Sequence, residues 1–154
     1  MQRRTVLAGL GSLPGILALS GCLSDDHDGE IEEFERGEIE ITIDDESIES
    51  MDKIQAEHAD NDSIDFHLHE FDDYWYMEGE ERVTVAEGFN LLPHFEYERV
   101  DDSNVVTFDG TVYDDRDSET TIAVEVDGEA VDPTAHELTD REALVLEIES
   151  GKND

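Results

Sequence analysis

The stretch "TIAVEVDGEAVDPTAHELTDREALVLEIE", residues 121–149, contains two runs in which apolar and polar residues alternate. The first run meets Asp127-Gly128, a dipeptide typical of two-residue hairpin turns, because glycine accepts a positive φ without a Cβ clash. The second run, residues 143–149, places three aliphatic residues on one face, as in a half-buried strand. We therefore predict a hairpin, a loop and a closing strand at this end of the chain.

The same alternation recurs upstream. "NVVTFDGTVYD" has the same design as the first run, with Asp109-Gly110 at its turn. Period-two alternation is the signature of strands with one buried face. The upstream segments that we predict as strands are "EIEITID" (38–44), "DFHLHE" (65–70), "DYWYMEG" (73–79) and "NVVTFDGTVYD" (104–114).

One segment has helical character. In "TVAEGFNLL" (84–92), Thr84 and Glu87 have the spacing of a capping box, and the apolar residues that follow repeat at helical intervals. Gly88 weakens the helix, and Pro93 ends it. We predict a short helix over 85–92.

These segments together resemble the β-grasp layout of the sulfur carriers of thiamine synthesis. The likeness covers about residues 83–92 and 122–149, with Arg141 and Glu142 where the family favours Gly-Asp. It implies an α+β fold, a small mixed and mainly antiparallel sheet with one short helix on one face. It does not extend to sulfur transfer, because the carriers end in Gly-Gly and this chain ends in "ESGKND". An immunoglobulin-like β-sandwich, with irregular residues 84–92, is the alternative fold.

The fold assigns each strand a buried and a solvated face. Burying one large apolar side chain contributes about 1.5–3 kcal/mol, so a dozen make a credible core. On the helix side we place Ile39, Ile41, Ile43, Ile64, Phe66, Leu68, Ile122, Val124, Val126, Leu144, Leu146 and Ile148. On the open side we place Glu40, Thr42, Asp65, His67, His69, Glu125, Glu147 and Glu149.

A weak internal repeat accompanies this pattern. "IEITIDDESIE" (39–49) matches "IAVEVDGEAVD" (122–132) in its apolar positions, and each is followed by a loop and an alternating run. On this alignment the run at 64–68 corresponds to the run at 144–148. The likeness is also what hairpins of any acidic protein would show.

Charge dominates the composition. The 44 acidic and 9 basic residues give a formal charge of −35, with lysine only at Lys53 and Lys152. Such self-repulsion destabilises a compact chain, but molar salt shortens the Debye length to about 3 Å and screens it. This excess of acidic over basic residues, with very little lysine, resembles the composition of proteins from extreme halophiles. It excludes nucleic acid as a natural partner, because no basic patch can neutralise phosphates.

The N-terminal residues read as an export signal. Arg3 and Arg4 in "RRTVL" resemble the twin-arginine motif, and "LSGC", which ends at Cys22, resembles a lipobox. An uncleaved membrane anchor is the alternative, but the apolar run of about 14 residues is shorter than the ~20 that span a bilayer. We predict a signal peptide over 1–21 and a lipid on Cys22, as in a haloarchaeal-type lipoprotein on the outer face of the cytoplasmic membrane.

The remainder divides into three parts. Residues 22–37 are acidic without clean periodicity, which predicts a solvated stalk. We expect residues 38–150 to form the β-rich domain and residues 151–154 to form a disordered tail. Because Cys22 is the only cysteine, the domain has no internal disulfide, no thiolate nucleophile and no thiolate ligand for zinc or blue copper.

Two histidines share a face of the predicted strand at 65–70. His67 and His69 are separated by about 6.6–7 Å along a strand, so their rings can converge on one ion. Neutral imidazole suits Zn²⁺ and Cu²⁺. His94 after the helix, or His58 in "QAEHAD", would supply a third ligand. Two other interpretations stay open, a solvated strand face and buried, hydrogen-bonded histidines.

The aromatic run Tyr74, Trp75 and Tyr76 also has two interpretations. Exposed aromatic residues anchor interfaces, so the run predicts a ligand or partner platform. Alternation instead predicts a core strand with Trp75 and Met77 pointing inwards, which we favour.

No nucleophile elbow, zinc-protease motif or phosphate-binding loop occurs in the sequence. We therefore expect a non-enzymatic, lipid-anchored module for binding or assembly, with an envelope protein as partner. A Cu- or Zn-binding lipoprotein is the second hypothesis, and a small hydrolase is the third.

Overall fold

The computed structural model of this chain describes residues 34–59, 63–70 and 72–151. The predicted signal peptide with its arginine pair, the predicted lipidation site Cys22 and most of the predicted stalk lie outside these ranges. So do residues 152–154 of the predicted tail.

Within the described ranges the chain forms ten strands, one α-helix and two single 3₁₀ turns, at Asp52–Ile54 and Ala56–His58. The one α-helix, α1, has only seven residues, and nothing in 34–59, 63–70 or 72–151 is a helix long and apolar enough to cross a membrane. The elements are β1 (Glu35–Ile43), β2 (Glu46–Ser47), β3 (His67–Leu68), β4 (Tyr74–Met77), α1 (Val85–Leu91), β5 (Phe95–Val100), β6 (Ser103–Phe108), β7 (Thr111–Asp114), β8 (Thr121–Val126), β9 (Glu129–Ala130) and β10 (Leu144–Glu149).

The larger sheet has the strand order β3-β4-β1-β10-β8-β9, with β2 paired to β1. Its two central strands, β1 and β10, are parallel, and Ile41 lies opposite Leu146. The other pairs in this sheet are antiparallel. A mixed, mainly antiparallel sheet with one short helix is the predicted α+β class, which is confirmed. The likeness to the β-grasp family stays a prediction. The alternative sandwich is wrong, because α1 is helical where the sandwich required irregular chain.

The core confirms eleven of the twelve predicted apolar positions, because alternating residues of β1, β8 and β10 are buried. Ile64 is the exception, with 60% of its surface exposed. The chain bends over 64–66 instead of continuing as a strand, and β3 pairs with β4 through only two residues. Alternation therefore fails at Ile64, although Phe66 and Leu68 still reach the core.

The boundary predicted between stalk and domain lies three residues too late. β1 begins at Glu35, and residues 35–38 pair with β4. Glu35 is buried, and both of its carboxylate oxygens accept hydrogen bonds from Arg82 at 2.7–3.1 Å. This pair fixes the start of the sheet.

The helix forms as its sequence predicts. The Thr84 side chain accepts a hydrogen bond from the Glu87 amide, and the Glu87 carboxylate accepts one from the Thr84 amide. Close packing explains the glycine at position 88, since a Cβ there would lie 3.0–3.2 Å from three ring carbons of Phe66. The helix loses propensity at this position and gains close contact with the sheet.

A second sheet of three antiparallel strands, β5-β6-β7, follows the helix in the chain. The prediction missed β5, although Phe95 and Tyr97 alternate with polar residues in it. Both rings pack on Phe89 of the helix, with centroids at 5.4 and 6.0 Å. The second sheet is thereby joined to the same core.

Two-residue hairpin turns occur at both predicted Asp-Gly dipeptides, where all four residues have positive φ. Two further turns, Asp44-Asp45 and Asp101-Asp102, have the same backbone without glycine. The turns at 44–45 and 127–128 join strand pairs of similar form, as both the repeat and the alternative of similar acidic hairpins predict. The second half of the repeat is wrong, because 144–148 is central strand and 64–68 is mostly a bend at the sheet edge.

Candidate functional site

His67 is buried, with 5% of its surface exposed, so its predicted place on the solvated face is wrong. β3 is only two residues long, and after the bend Phe66, His67 and Leu68 are all buried. Nδ1 of His67 lies 2.9 Å from the Ser63 carbonyl oxygen, and Nε2 lies 3.3 Å from a carboxylate oxygen of Glu78. Of the three interpretations of this histidine, the buried and hydrogen-bonded one describes its position.

His69 lies at the rim of the same region and is hydrogen-bonded through Nδ1 to Glu57. The other carboxylate oxygen of Glu57 accepts a hydrogen bond from the Glu70 amide at 3.1 Å. The Glu70 carboxylate in turn lies 2.9 Å from Nε2 of His58. These three contacts tie the 3₁₀ turn Ala56–His58 to the chain that follows β3.

The pKa of Glu57 is below its ordinary value. Burial is the largest single influence and raises the pKa, but hydrogen bonds from His69 and backbone amides, with the attraction of His69, outweigh it. The carboxylate therefore stays ionised and keeps accepting these hydrogen bonds.

The rings of His67 and His69 lie edge to face, with centroids 4.8 Å apart, and both contact Tyr76. His94 is not brought to them; it follows the helix, and its carbonyl accepts a hydrogen bond from Asp109. Within the described ranges no group of three or more His, Cys, Asp or Glu side chains is arranged to hold a metal ion. The predicted metal site is thus reduced to a histidine pair with carboxylates around it.

The aromatic run divides between the two faces of β4. Trp75 and Met77 are fully buried, as the core interpretation predicts, so the predicted platform is wrong for Trp75. Tyr74 and Tyr76 are half-buried on the opposite face. Nε1 of Trp75 donates a hydrogen bond to the Glu142 carbonyl at 2.9 Å, which attaches the loop before β10 to β4.

Arg36 joins the two tyrosines on the solvated face of the sheet. Its guanidinium lies 5.2 Å from the centroid of the Tyr74 ring and donates a long hydrogen bond, 3.5 Å, to the Tyr76 hydroxyl. That hydroxyl donates to Asp72 at 2.5 Å. Burial and the bond to Asp72 raise the pKa of Tyr76, so the ring stays neutral and keeps donating.

Two open depressions lie side by side on this solvated face, of about 570 and 520 Å³. They share Glu38 and Tyr74, which form the ridge between them. The arginine depression is lined by Phe34, Arg36, Gly37, Glu38, Tyr74, Asp140 and Arg141. The acidic depression is lined by Glu38, Ile39, Glu40, Thr42, Ser47, Glu49, Asp72, Asp73, Tyr74, Ala143, Leu144 and Val145.

Comparison with protein-family models, with curated proteins and with solved structures finds no match to this chain. The site must therefore be interpreted from its own chemistry.

Sequence reasoning missed the arginine depression entirely. The sequence pattern places Arg36 in a solvated stalk, and Arg141 stands out only as a departure from the β-grasp pattern. The sequence did contain one signal, the rarity of positive charge. With only nine basic residues among 154, each arginine is a candidate for a specific role. The sequence does not reveal that β1 and β10 pair in parallel, and it is this pairing that brings residues 36 and 141 together.

Proposed function

We propose that this protein is a non-enzymatic binding module, held at the outer face of the cytoplasmic membrane by a lipid on Cys22. The observation that carries the binding role is the pair of adjoining depressions on the solvated face of the central sheet. Their ridge residues, Glu38 and Tyr74, come from paired positions of β1 and β4, so the sheet itself holds the surface in shape. Preorganised surfaces of this kind lower the cost of binding.

The form of the depressions favours binding over catalysis. Both are open to solvent, whereas catalytic electrostatics is strongest where water is excluded. The carboxylates on the solvated face, such as Glu38 and Glu40, are exposed side chains of regular strands. We therefore assign them to solvation and recognition.

The proposed membrane location rests on the sequence of the predicted signal peptide. The large negative net charge is consistent with a protein exposed to a medium of high salt concentration. Outward positions on both sheets hold acidic residues, among them Glu40, Glu96, Glu98, Glu147 and Glu149. An acidic face of this density is stable where salt screens it, and an envelope protein of the same cell would be its partner.

Two experiments test the proposal. Cell fractionation should find the wild-type protein in the membrane fraction and the Cys22→Ser variant released from it. If the wild type is cytoplasmic, the proposed location is wrong.

Site-specific photo-crosslinking tests the binding surface. p-Benzoylphenylalanine at Glu40, on the acidic depression, should give a discrete adduct on intact cells. The same residue at Val112, which is 63% exposed on β7 of the other sheet, is the matched control and should give none. Equal labelling at both positions, or none at either, would contradict a binding face on the central sheet.

One observation favours metal binding as a second candidate function. Nδ1 of His67 faces a carbonyl oxygen, which can only accept, so this nitrogen carries a proton. Nε2, the nitrogen that remains, faces the Glu78 carboxylate at 3.3 Å, so a cation bound here would be shared by an imidazole and a carboxylate. A histidine that donates one ring N–H to a carbonyl is the usual arrangement around bound metals.

Calorimetric titration with Zn²⁺ and Cu²⁺ in molar salt tests this candidate. We expect binding by the wild type that is lost in His67→Ala/His69→Ala, and also in His69→Ala alone, which spares the buried ring. His136→Ala is the control, because that histidine pairs with Glu142 elsewhere. Unchanged binding in His69→Ala, or none by the wild type, would exclude it.

A further inference from the structure

Arg36 differs from the other basic side chains of the described ranges. Its guanidinium contacts two tyrosines, and Asp72 influences it from a distance, but it forms no ion pair with a carboxylate of residues 34–59, 63–70 or 72–151. In a chain with 44 acidic residues, an arginine held away from them is conspicuous. The other basic side chains there all pair with a carboxylate: Lys53, Arg82, Arg99, Arg116 and Arg141.

The loop before β10 fixes Arg36 beside Arg141. The Arg36 amide donates to the Asp140 carboxylate at 3.2 Å, and the Arg36 carbonyl accepts from the Arg141 amide at 2.8 Å. The close approach requires Gly37, since a Cβ there would overlap the Glu142 carbonyl oxygen. Two arginines therefore extend from hydrogen-bonded backbone positions, and both residues line one depression.

The backbone of Arg141 gives an independent reason to assign it a role. Eight non-glycine residues in the described part of the chain have positive φ, and six are aspartates, whose short polar side chains tolerate this conformation. Arg141, at φ 71°, is an exception with a long side chain. Glycine would adopt this φ without strain, and strained residues cluster at binding sites. The Arg141 side chain is 90% exposed, and among the described residues its guanidinium pairs only with the neighbouring Asp140, so it is available to a ligand.

The arginine depression also contains negatively charged and aromatic side chains. Glu38 and Asp140 are carboxylates on its wall, and Phe34 and Tyr74 are aromatic. A guanidinium pair matches a carboxylate, whereas a carboxylate next to a tyrosine ring suits an ammonium group. A ligand with both charges has no net charge, so the −35 of the protein does not repel it.

We propose that the arginine depression binds a short zwitterionic peptide, whose terminal carboxylate pairs with Arg36 and Arg141 and whose ammonium group pairs with Glu38. An apolar side chain next to the carboxylate lies against Phe34, which is 49% exposed. This inference rests on the proposed binding role of the solvated face and names the ligand class for it.

Titration with the dipeptide Ala-Phe tests the proposal, followed by backbone amide shifts in molar salt. Free Ala-Phe should shift the amides of Arg36, Tyr74 and Arg141 with a dissociation constant on the order of 1 mM, because the ion pairs stay partly solvated. Capping either end removes one charge. The C-terminal amide and the N-acetyl form should each bind about fivefold more weakly. Equal binding of the free and capped dipeptides, or no shifts at these amides, would overturn the proposal.

Variants separate recognition from folding. Arg141→Gly removes the guanidinium and relieves the positive φ, so it should lose about fivefold in affinity while its stability is kept or raised. Arg36→Gln should weaken binding similarly, and Arg116→Gln, a remote exposed arginine, should have no effect. Full binding by Arg141→Gly would overturn the assignment of this residue. If crosslinking at Glu40 succeeds but Ala-Phe does not bind, only the ligand class is wrong; if crosslinking fails as well, so does the binding role.

Discussion

Nε1 of Trp75 donates a hydrogen bond to the backbone carbonyl of Glu142, 2.9 Å away, directly over Gly37. The three residues belong to β4, to the loop before β10 and to β1. One buried indole thus holds together the three segments that form the arginine depression.

Gly37→Ala should destabilise the domain. The new Cβ would overlap the Glu142 carbonyl oxygen and lie 2.7 Å from Nε1 of Trp75, so strand or loop must move. Overpacking of this kind costs about 1–3 kcal/mol. Urea unfolding in molar salt, followed by the fluorescence of Trp75, the only tryptophan, measures the change.

Gly110→Ala is the matched control for that substitution. Nothing lies within 4 Å of a Cβ there, but its φ of 83° makes alanine cost about 1 kcal/mol. If both variants unfold at the same urea concentration and Gly37→Ala keeps the native Trp75 emission, the close packing at Gly37 has no special importance.

Arg82→Gln should be the most damaging loss of a positive charge. Arg82 donates three hydrogen bonds to Glu35, whose side chain is only 12% exposed, and Glu35 starts the central strand. Loss of the guanidinium leaves a mostly buried carboxylate without its donors, at a cost of about 1–3 kcal/mol.

Arg116→Gln provides the comparison, because its pair with Asp114, the last residue of β7, lies at the surface with the guanidinium 49% exposed, and surface pairs contribute about 0–1 kcal/mol. Chemical denaturation of both variants at one salt concentration measures the difference. Equal effects would mean that the Arg82–Glu35 pair is no stronger than a surface pair.

The sheet could be predicted from sequence where burial is regular. Ile39, Ile41 and Ile43 alternate because β1 is central and has one dry face, and the same holds for β10. At the edge of the sheet a strand no longer has one regularly buried face, so alternation is a weaker guide. β3 has a single short neighbour, the chain bends before it, and alternation no longer decides which way Ile64 and His67 point.

The candidate site was harder to predict because it depends on tertiary pairing. Arg36 and Arg141 lie about a hundred positions apart in the chain, and only the parallel contact of β1 with β10 makes them neighbours. Likewise, the carboxylates that accept hydrogen bonds from His58 and His69 come from segments whose approach no periodicity reveals.

Acid should release the segment that Glu57 holds. Its pKa is lower in the folded protein than the ordinary value of about 4.3, so the stabilisation it gives is present above that pH. The stabilisation is lost as the pH falls through the lowered, folded-state pKa. Amide hydrogen exchange at Glu70, whose N–H bonds to Glu57, should therefore accelerate in acid relative to the amides of β10.

Glu57→Gln supplies the test of that assignment. The variant should exchange faster than the wild type at neutral pH, and the difference should vanish in acid, where Glu57 itself is protonated. A wild-type difference between Glu70 and β10 that does not change with pH would contradict the role of this carboxylate.

Low salt should unfold the domain, and the solvated face of the central sheet should set part of the requirement. Glu40 and Glu147 lie on adjacent central strands, displaced by two positions in register, so they repel each other across β1 and β10. Like charges directly opposite destabilise a sheet by about 0.2–1 kcal/mol and a diagonal pair by less, and screening at molar salt removes most of that cost. Glu40→Gln/Glu147→Gln should therefore keep its structure at a lower salt concentration than the wild type, as followed by circular dichroism during dialysis.

Glu96→Gln/Glu98→Gln, on the outer strand of the other sheet, is the control for a general loss of charge and should shift the midpoint less. A wild-type spectrum that stays native in millimolar salt would show that the acidic surface is not an adaptation to salt.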